Sequence, residues 1–369
     1  MKPKMPIASR VRPGAHLGCP LCSIIPAHML RGLAENGDEK QRSRALSTML
    51  GSHRLRGQRD MLGVLGAVAL MTPAGVKRRT IYNAQEEPNL PGKLVRGEGA
   101  AKGKDVMINE AYDYSGIVYD FYSKVFGRNS VDDRGMRLDS SVHFREDTTE
   151  AFDNAFWNGS QMVYGDGDGV TFDRFTKCLD VIGHELTHGV TQYEAGLAYR
   201  GQSGALNESF SDVFGSLVKQ WHLKQSAAKA DWLIGAGLLG KAIHGVALRS
   251  LKAPGTAYND PHFGGKDPQP GHMKDYVKLP NTGPGDNGGV HINSGIPNHA
   301  FFLVATQLGG NAWERAGKIW YDALCNRIRA DSTFKTAAQA TLASATTLYG
   351  ATSAELKAVK SAWQEVGVL

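Results

Sequence analysis

The segment Val181-Ile182-Gly183-His184-Glu185-Leu186-Thr187-His188 constrains this chain more than any other. His184 and His188 are four residues apart, so on a helix both imidazoles leave one face a turn apart and can grip one metal ion. Glu185 sits beside them, placed to act on a metal-bound water rather than on the metal. Alone, a His-Glu-x-x-His can arise by chance. A second stretch, Gly204-Ala205-Leu206-Asn207-Glu208-Ser209-Phe210-Ser211-Asp212, removes that reading. Glu208 supplies a third ligand from another predicted helix. Asp212, one turn later, can hold a ligand histidine from behind, and Asn207 is a second candidate for such support. Two histidines and one carboxylate leave a fourth position open, as catalytic zinc sites do, whereas structural sites are closed by four protein ligands, mostly Cys and His.

The 369 residues allow two domains plus an extension. Hydrophobic content of 41% and charged content of 21% are ordinary for a soluble globular chain, and the net charge of +6 is mild. Basic residues gather near the N-terminus at Arg10, Arg12, Arg42, Arg44, Arg54, Arg56, Arg59 and Lys77-Arg78-Arg79. No aromatic platform is interleaved with them, so they read as a solvated leader and no nucleic-acid partner is expected. Cys19, Cys22, Cys178 and Cys325 do not make a disulfide scaffold. Cys178 and Cys325 lie in apolar surroundings and read as buried thiols. Cys19-Pro20-Leu21-Cys22 has no second pair and is assigned no role. No apolar run follows the basic N-terminus before Pro13, and Gly63 to Met71 is too short to span a bilayer. A soluble monomer without a membrane partner is expected, cytoplasmic or exported by a route that uses no signal peptide.

Residues 1 to about 60 differ from the rest, with one apolar island, Ser23 to Leu30, in a charged leader. Such an island predicts a segment that docks on something. Arg31 to Leu50 reads as a polar helix. Val64 to Leu70 and Arg79 to Asn83 look like strands, and Ala111 to Phe126 like a helix whose aromatics serve the core. Asn154 to Gly159 reads as an edge strand with exposed backbone. The Gly165-Asp166-Gly167-Asp168-Gly169 run resembles a calcium or phosphate loop but lacks the ligand spacing of either, so a tight turn is expected. Helices are expected at Gly295–Leu308, Ala312–Arg329, Thr333–Leu348 and Ser353–Trp363. Arg249 to Val290 is a long irregular segment of the kind that carries function.

Taken with Asn287-Gly288-Gly289-Val290-His291-Ile292-Asn293-Ser294-Gly295, these motifs resemble those of the thermolysin-like metalloproteases over residues of about 60 to 369. Thermolysin is itself the standard example of a zinc ion held by two histidines and a glutamate. The leader, with Ile24-Ile25-Pro26-Ala27-His28-Met29-Leu30, is similar to the short propeptide of the protealysin branch, except that Ala27 stands where that branch shows a second proline. The resemblance implies an α+β fold with a strand-rich lobe, a helical lobe and zinc in the cleft between them. The expected divisions are a propeptide at 1–55, a strand-rich lobe with the metal helix at 56–202 and a helical lobe at 203–369. It implies a zinc endopeptidase acting on protein or peptide substrates, with its own propeptide as a partner in cis. Glu185 would move the protons. Tyr199 and His291 would stabilise the oxyanion, with Asp286 orienting His291. Asn154 and the backbone of Ala155 match the edge that pairs with the peptide, and Arg249 matches the arginine for its carbonyl. Phe172, Phe175, Val181, Ile234, Leu238 and Leu248 match the pocket for the residue after the scissile bond. Ile24, Ile25, Pro26, His28, Met29 and Leu30 would dock in the cleft, His28 more as a surface residue than near the metal.

One departure concerns calcium. Asp180 and Asp231 remain of the family's double site, but Lys219, Leu233 and Ala236 stand where acids are expected, and a lysine repels calcium. That site is expected to be lost. The competing readings are a catalytically inactive relative kept for binding, against which Glu185 argues, and a zinc hydrolase of esters or other amides.

Overall fold

The computed structural model describes residues 22–62, 75–147 and 149–369. The leader contributes strand β1 (Cys22–Ser23), helix α1 (Ala27–Asn36) and helix α2 (Glu39–Leu62). The single polar helix expected over 31–50 is thus two, broken at Gly37-Asp38. The reason is a capping box. The Gln41 amide donates to Asp38 Oδ1 and the Asp38 amide to Gln41 Oε1, both at 2.9 Å, so a new helix starts there. Pro26 stands at the N-cap of α1 with φ −65° and ψ 149°, and keeps the chain before the helix extended. The leader boundary expected at residue 55 falls inside α2, and that expected at 202 falls at the start of a helix described below. The strand expected over 64–70 lies outside the described residues.

Five strands follow the leader: β2 (Arg79–Asn83), β3 (Lys93–Gly97), β4 (Leu138–Val142), β5 (Ala155–Trp157) and β6 (Met162–Tyr164). Together with β1 they form one six-stranded sheet in the order β1-β5-β6-β4-β2-β3. The leader's β1 is an edge strand, antiparallel to β5, with Ser23 opposite Phe156 and Cys22 opposite Trp157. Helix α3 (Val106–Phe121) passes into a π turn at Tyr122–Phe126. It starts earlier than expected because Asp105 caps it, accepting from the amides of Met107 and Ile108. Its aromatics are core, as expected, and Tyr122 reaches Thr187 on the metal helix at 2.7 Å. The glycine-rich run after β6 is a tight turn, closed by Asp168 Oδ1 accepting from the amides of Val170, Thr171 and Phe172.

Helix α4 (Leu179–Tyr193) carries both motif histidines, and every residue from Leu179 to Thr191 is buried. Helix α5 (Gly201–Leu223) crosses it closely. A Cβ on Gly215 would lie 2.5 Å from the Asp180 carbonyl oxygen, and one on Gly183 would lie 3.0 Å from the Gly215 Cα. The two glycines let the backbones approach until side chains of α5 meet those of α4. Short strands β7 (Leu233–Ile234) and β8 (Arg249–Ser250) pair antiparallel. Between β8 and Val290 the chain is irregular, as expected, with one further short strand pair and two 3₁₀ turns before the next helix. The helical lobe is completed by α6 (Asp286–Asn293), α7 (Gly295–Leu308), α8 (Ala316–Asn326), α9 (Phe334–Tyr349) and α10 (Ala354–Glu365). Among the described residues no helix is long and apolar enough to cross a membrane.

Candidate active site

Helices α4 and α5 bring His184, His188 and Glu208 together, all buried, with ligand atoms within 4.8 Å of one another. The two Nε2 atoms lie 3.0 Å apart; His184 Nε2 is 3.4 Å from Glu208 Oε2 and His188 Nε2 is 3.5 Å from Glu208 Oε1. Zinc bonds of about 2.1 Å in a tetrahedron set ligand atoms roughly 3.4 Å apart, so the three edges suit such an ion. The other ring nitrogens are occupied. His184 Nδ1 meets Asp212 Oδ1 at 2.8 Å, while His188 Nδ1 meets Asn207 Oδ1 at 2.9 Å and Ser211 Oγ at 3.0 Å. This fixes both rings with Nε2 turned inward. Glu208 Oε2 is buried without a hydrogen-bond partner, a costly state that a cation relieves. The residues fit the metal.

Glu185 is wholly buried on the same helix. Its Oε2 accepts the Trp157 amide at 3.0 Å, and its Oε1 has no hydrogen-bond partner. Burial pushes its carboxyl up to about 8, the Glu208 charge adding to this against the pull of His184. The raised value makes the Glu185 carboxylate a stronger base than an ordinary glutamate.

His291 and Tyr199 come to the same place from different elements. Asn287, Gly288 and Gly289 all have left-handed φ, 49°, 85° and 79°, and this kink turns Asp286 back onto His291. Asp286 Oδ1 lies 2.6 Å from His291 Nδ1, and Asp286 Oδ2 accepts the His291 amide at 2.9 Å. His291 Nε2 is 3.1 Å from the Tyr199 hydroxyl and 3.0 Å from the Ser23 carbonyl oxygen, while Tyr199 also hydrogen-bonds Glu208. Carboxylate and carbonyl oxygens only accept, so this ring suits the imidazolium form. Burial opposes that form; the charges of Glu208 and Asp286 outweigh it and raise the histidine.

Asn154, Ala155 and Arg249, expected to hold a peptide, are all engaged by the leader. Ile24 N–H donates to the Ala155 carbonyl at 3.1 Å and Ile25 N–H to Asn154 Oδ1 at 3.0 Å. Arg249 Nη1 donates to the Ile24 carbonyl at 3.0 Å. Asp212, already on His184, holds the Arg249 guanidinium through both oxygens at 2.9–3.2 Å, and Asn298 Nδ2 donates to Asp212 Oδ2 at 2.8 Å. One carboxylate thus aligns a metal ligand and the arginine, and Arg249 and His184 keep it down at about 2 although burial opposes them.

Phe172, Phe175, Val181, Ile234, Leu238 and Leu248 are all buried in the main apolar core, as are Ile24, Ile25, Met29 and Leu30 of the leader. Pro26 is buried as well. His28 does not reach the metal residues. It is partly buried, its Nε2 lies 2.7 Å from the Tyr258 hydroxyl, and burial lowers it to about 4.

Lys219 lies among the acids that remain of the expected calcium site. Its Nζ lies 2.7 Å from Asp180 Oδ2, 3.0 Å from Asp231 Oδ1 and 2.7 Å from the Leu233 carbonyl oxygen. The Ala236 carbonyl accepts instead from Cys178 Sγ at 3.5 Å.

Several participants carried no sequence signal. The Trp157 amide and the Ser23 carbonyl are backbone groups that any residue would offer. Ser211 and Asn298 are polar residues on the buried faces of α5 and α7, and only that misplaced polarity marked them. The leader's second anchor was likewise missed. Arg44 pairs with Asp168 at 2.9 Å and Glu150 at 3.3 Å, and Gln41 donates to Thr171 at 3.1 Å.

The model of the thermolysin metallopeptidase catalytic domain matches residues 73–192, and that of the thermolysin metallopeptidase alpha-helical domain matches residues 195–368. An extracellular metalloprotease of Pectobacterium carotovorum subsp. carotovorum is 49% identical over 356 residues, spanning 95% of this chain and 97% of its own. Protease PrtS of a Photorhabdus strain is 45% identical over 349 residues, with 94% of this chain and 91% of its own covered. Thermolysin of Alicyclobacillus acidocaldarius is 40% identical over 296 residues, 78% of this chain and 50% of that protein. Among solved structures, the precursor of protealysin, a metalloproteinase from Serratia proteamaculans, superposes with a TM-score of 0.84 at 52% identity. It covers 94% of this chain and 100% of that one.

Proposed function

The chain belongs to the thermolysin family of metallopeptidases and is a metalloendopeptidase, and we propose that it cleaves before apolar residues and is made as a precursor closed by its own N-terminal segment. The observation that carries this reading is the leader's backbone on the cleft edge, bound through Ala155, Asn154 and Arg249 beside His291. These are the groups that a substrate needs, and one chain segment uses all of them at once.

In this reading His184, His188 and Glu208 would hold zinc, which would supply Lewis-acid polarisation of a carbonyl and acidification of a water. Glu185 would accept a proton from the attacking water and deliver it to the leaving amine. His291 and Tyr199 donate hydrogen bonds where negative charge develops on the carbonyl oxygen. Asp286 keeps Nδ1 of His291 engaged, which leaves Nε2 for the substrate. Asn154, Ala155 and Arg249 set the register of the peptide. The Arg249–Asp212–His184 chain of contacts couples substrate position to the metal site.

The pocket lined by Phe172, Phe175, Val181, Ile234, Leu238 and Leu248 takes the residue after the scissile bond. No polar side chain is among the six, so a leucine or phenylalanine there gains on the order of 2 kcal/mol by burial. Cleavage before Leu, Phe, Ile or Met is expected from a peptide library digested by leader-free protein, and silenced by a zinc chelator. Preference for Asp, Lys or Gly at that position would refute the pocket assignment, and hydrolysis indifferent to chelation would refute the metal. The inactive-relative reading is disfavoured by Glu185, because a binding module has no use for a buried base.

A further inference from the structure

The leader does more than cover the cleft, because one of its peptide bonds is held between His291 and the strand edge at Ala155. In an extended chain successive carbonyls point to opposite sides. The Ser23 carbonyl faces His291 Nε2 at 3.0 Å, and the next one, of Ile24, faces Arg249 Nη1 at 3.0 Å. Between them the Ile24 N–H is fixed on the Ala155 carbonyl, and the Ile25 N–H on Asn154 Oδ1. The bond flanked by the carbonyl at His291 and the amide at Ala155 is Ser23–Ile24. The register is held on both sides, since Ser23 pairs with Phe156 and Cys22 with Trp157, whose amide is held by Glu185 Oε2. A slip of one residue would turn Ile24 and Ile25 to the wrong faces. Ile24 is wholly buried and apolar, as the pocket after the scissile bond requires.

We propose that the precursor cuts itself at Ser23–Ile24, within one molecule, and that the remainder of the leader stays docked. This rests on the endopeptidase reading above. In the zinc-loaded protein, water gives a proton to Glu185 and its oxygen bonds to the Ser23 carbonyl carbon. The C–N bond to Ile24 then breaks, the proton passes from Glu185 to the Ile24 nitrogen, and the second water proton follows from the new carboxyl group. The products are a Ser23 carboxylate and an Ile24 ammonium. Holding the bond in place converts a bimolecular reaction to a unimolecular one, so the cut proceeds independently of other molecules. It does not free the cleft. Ile25, Met29, Leu30 and Leu33 remain buried, and Arg44 remains on Asp168 and Glu150. The clip is therefore separate from activation, which needs a further break in or after α2.

The test uses the full chain prepared metal-free, started with zinc and followed by intact mass and N-terminal sequencing. Leader-deleted enzyme is assayed on a peptide in parallel. A species beginning at Ile24 is expected, formed at a rate constant unchanged over a tenfold range of protein concentration, and absent from Ile24→Asp. If leader-deleted enzyme cleaves the peptide while no Ile24 terminus forms, the inference falls and the endopeptidase reading stands. If neither reaction occurs, both fall. A rate proportional to concentration would overturn the intramolecular step. A second readout needs no metal or turnover: in metal-free Glu185→Gln precursor the Ile24 and Ile25 amides should exchange hydrogen slowly, and freely exchanging amides would show that the bond is not seated.

Discussion

If the leader closes the cleft by burying apolar side chains, charging two of them should open it without any cut. Ile25 and Leu30 are 1% and 3% exposed in the docked leader. Burial of such side chains stabilises by about 2 kcal/mol each, an upper figure because an undocked leader is not fully extended. The double substitution Ile25→Asp with Leu30→Asp therefore removes about 4 kcal/mol, before the added cost of burying two carboxylates. At about 1.4 kcal/mol per factor of ten, the docked-to-open ratio falls on the order of a hundredfold to a thousandfold. The Ile24, Arg44 and Gln41 contacts remain, so an intermediate opening is also measurable. The assay is the initial rate on a fluorogenic peptide, with intact mass showing that residues 24–369 are still one chain. Zinc content and a melting curve establish that the variant is folded. The expected outcome is a rate at least tenfold above the unsubstituted precursor, approaching that of protein lacking residues 1–50. A folded, zinc-loaded variant no faster than a silent precursor would refute apolar docking as the lock, as would an intact precursor already as fast as the leader-free enzyme.

Two further predictions concern charges away from the cleft. With the Lys219 ammonium between Asp180, Asp231 and the Leu233 carbonyl, millimolar calcium should move the melting temperature by no more than about 2 °C; a large calcium-dependent rise would contradict this. His143 lies between Asp166 at 2.9 Å and Asp105 at 2.8 Å, and chiefly the Asp166 hydrogen bond raises it from 6.5 to about 9 against its burial. Its folded pKa exceeds the unfolded one, so its stabilisation is complete below about pH 6.5 and is lost as pH rises through about 9. Discounted for partial exposure, it amounts to about 1.5 kcal/mol. His143→Gln should lower unfolding free energy by that amount at pH 6 and by little at pH 9.5; a deficit equal at both would contradict the ion pair.

The metal residues were legible in sequence because they combine rare residue types with helical spacing. His184 and His188 need only a helix to meet, and Glu208 and Asp212 repeat the same one-turn logic on α5. The helices of the C-terminal lobe were legible for a similar reason, in that apolar periodicity sustained over ten or more residues has few other readings. Arg249 was placed by its position between motifs, and the structure gives the reason for that position: Asp212 serves it and His184 together. The helix break at Gly37-Asp38 was missed although Asp38 and Gln41 are a capping pair, because the polarity on either side is alike. Backbone groups were beyond reach. The Trp157 amide on Glu185 and the Ser23 carbonyl at His291 depend on strand register, which comes from long-range pairing and not from local residue type.

Peptide hydrolysis by this chain rests on Glu185. Glu185→Ala, made in leader-free protein, removes the buried carboxylate that the Trp157 amide holds beside the metal residues and leaves His184, His188 and Glu208 intact. Zinc by elemental analysis and kcat/KM on an apolar peptide are measured on the same sample. The expected result is about one zinc per chain with hydrolysis reduced by several orders of magnitude, as for loss of a proton-transfer group. Full zinc with undiminished turnover would contradict the mechanism.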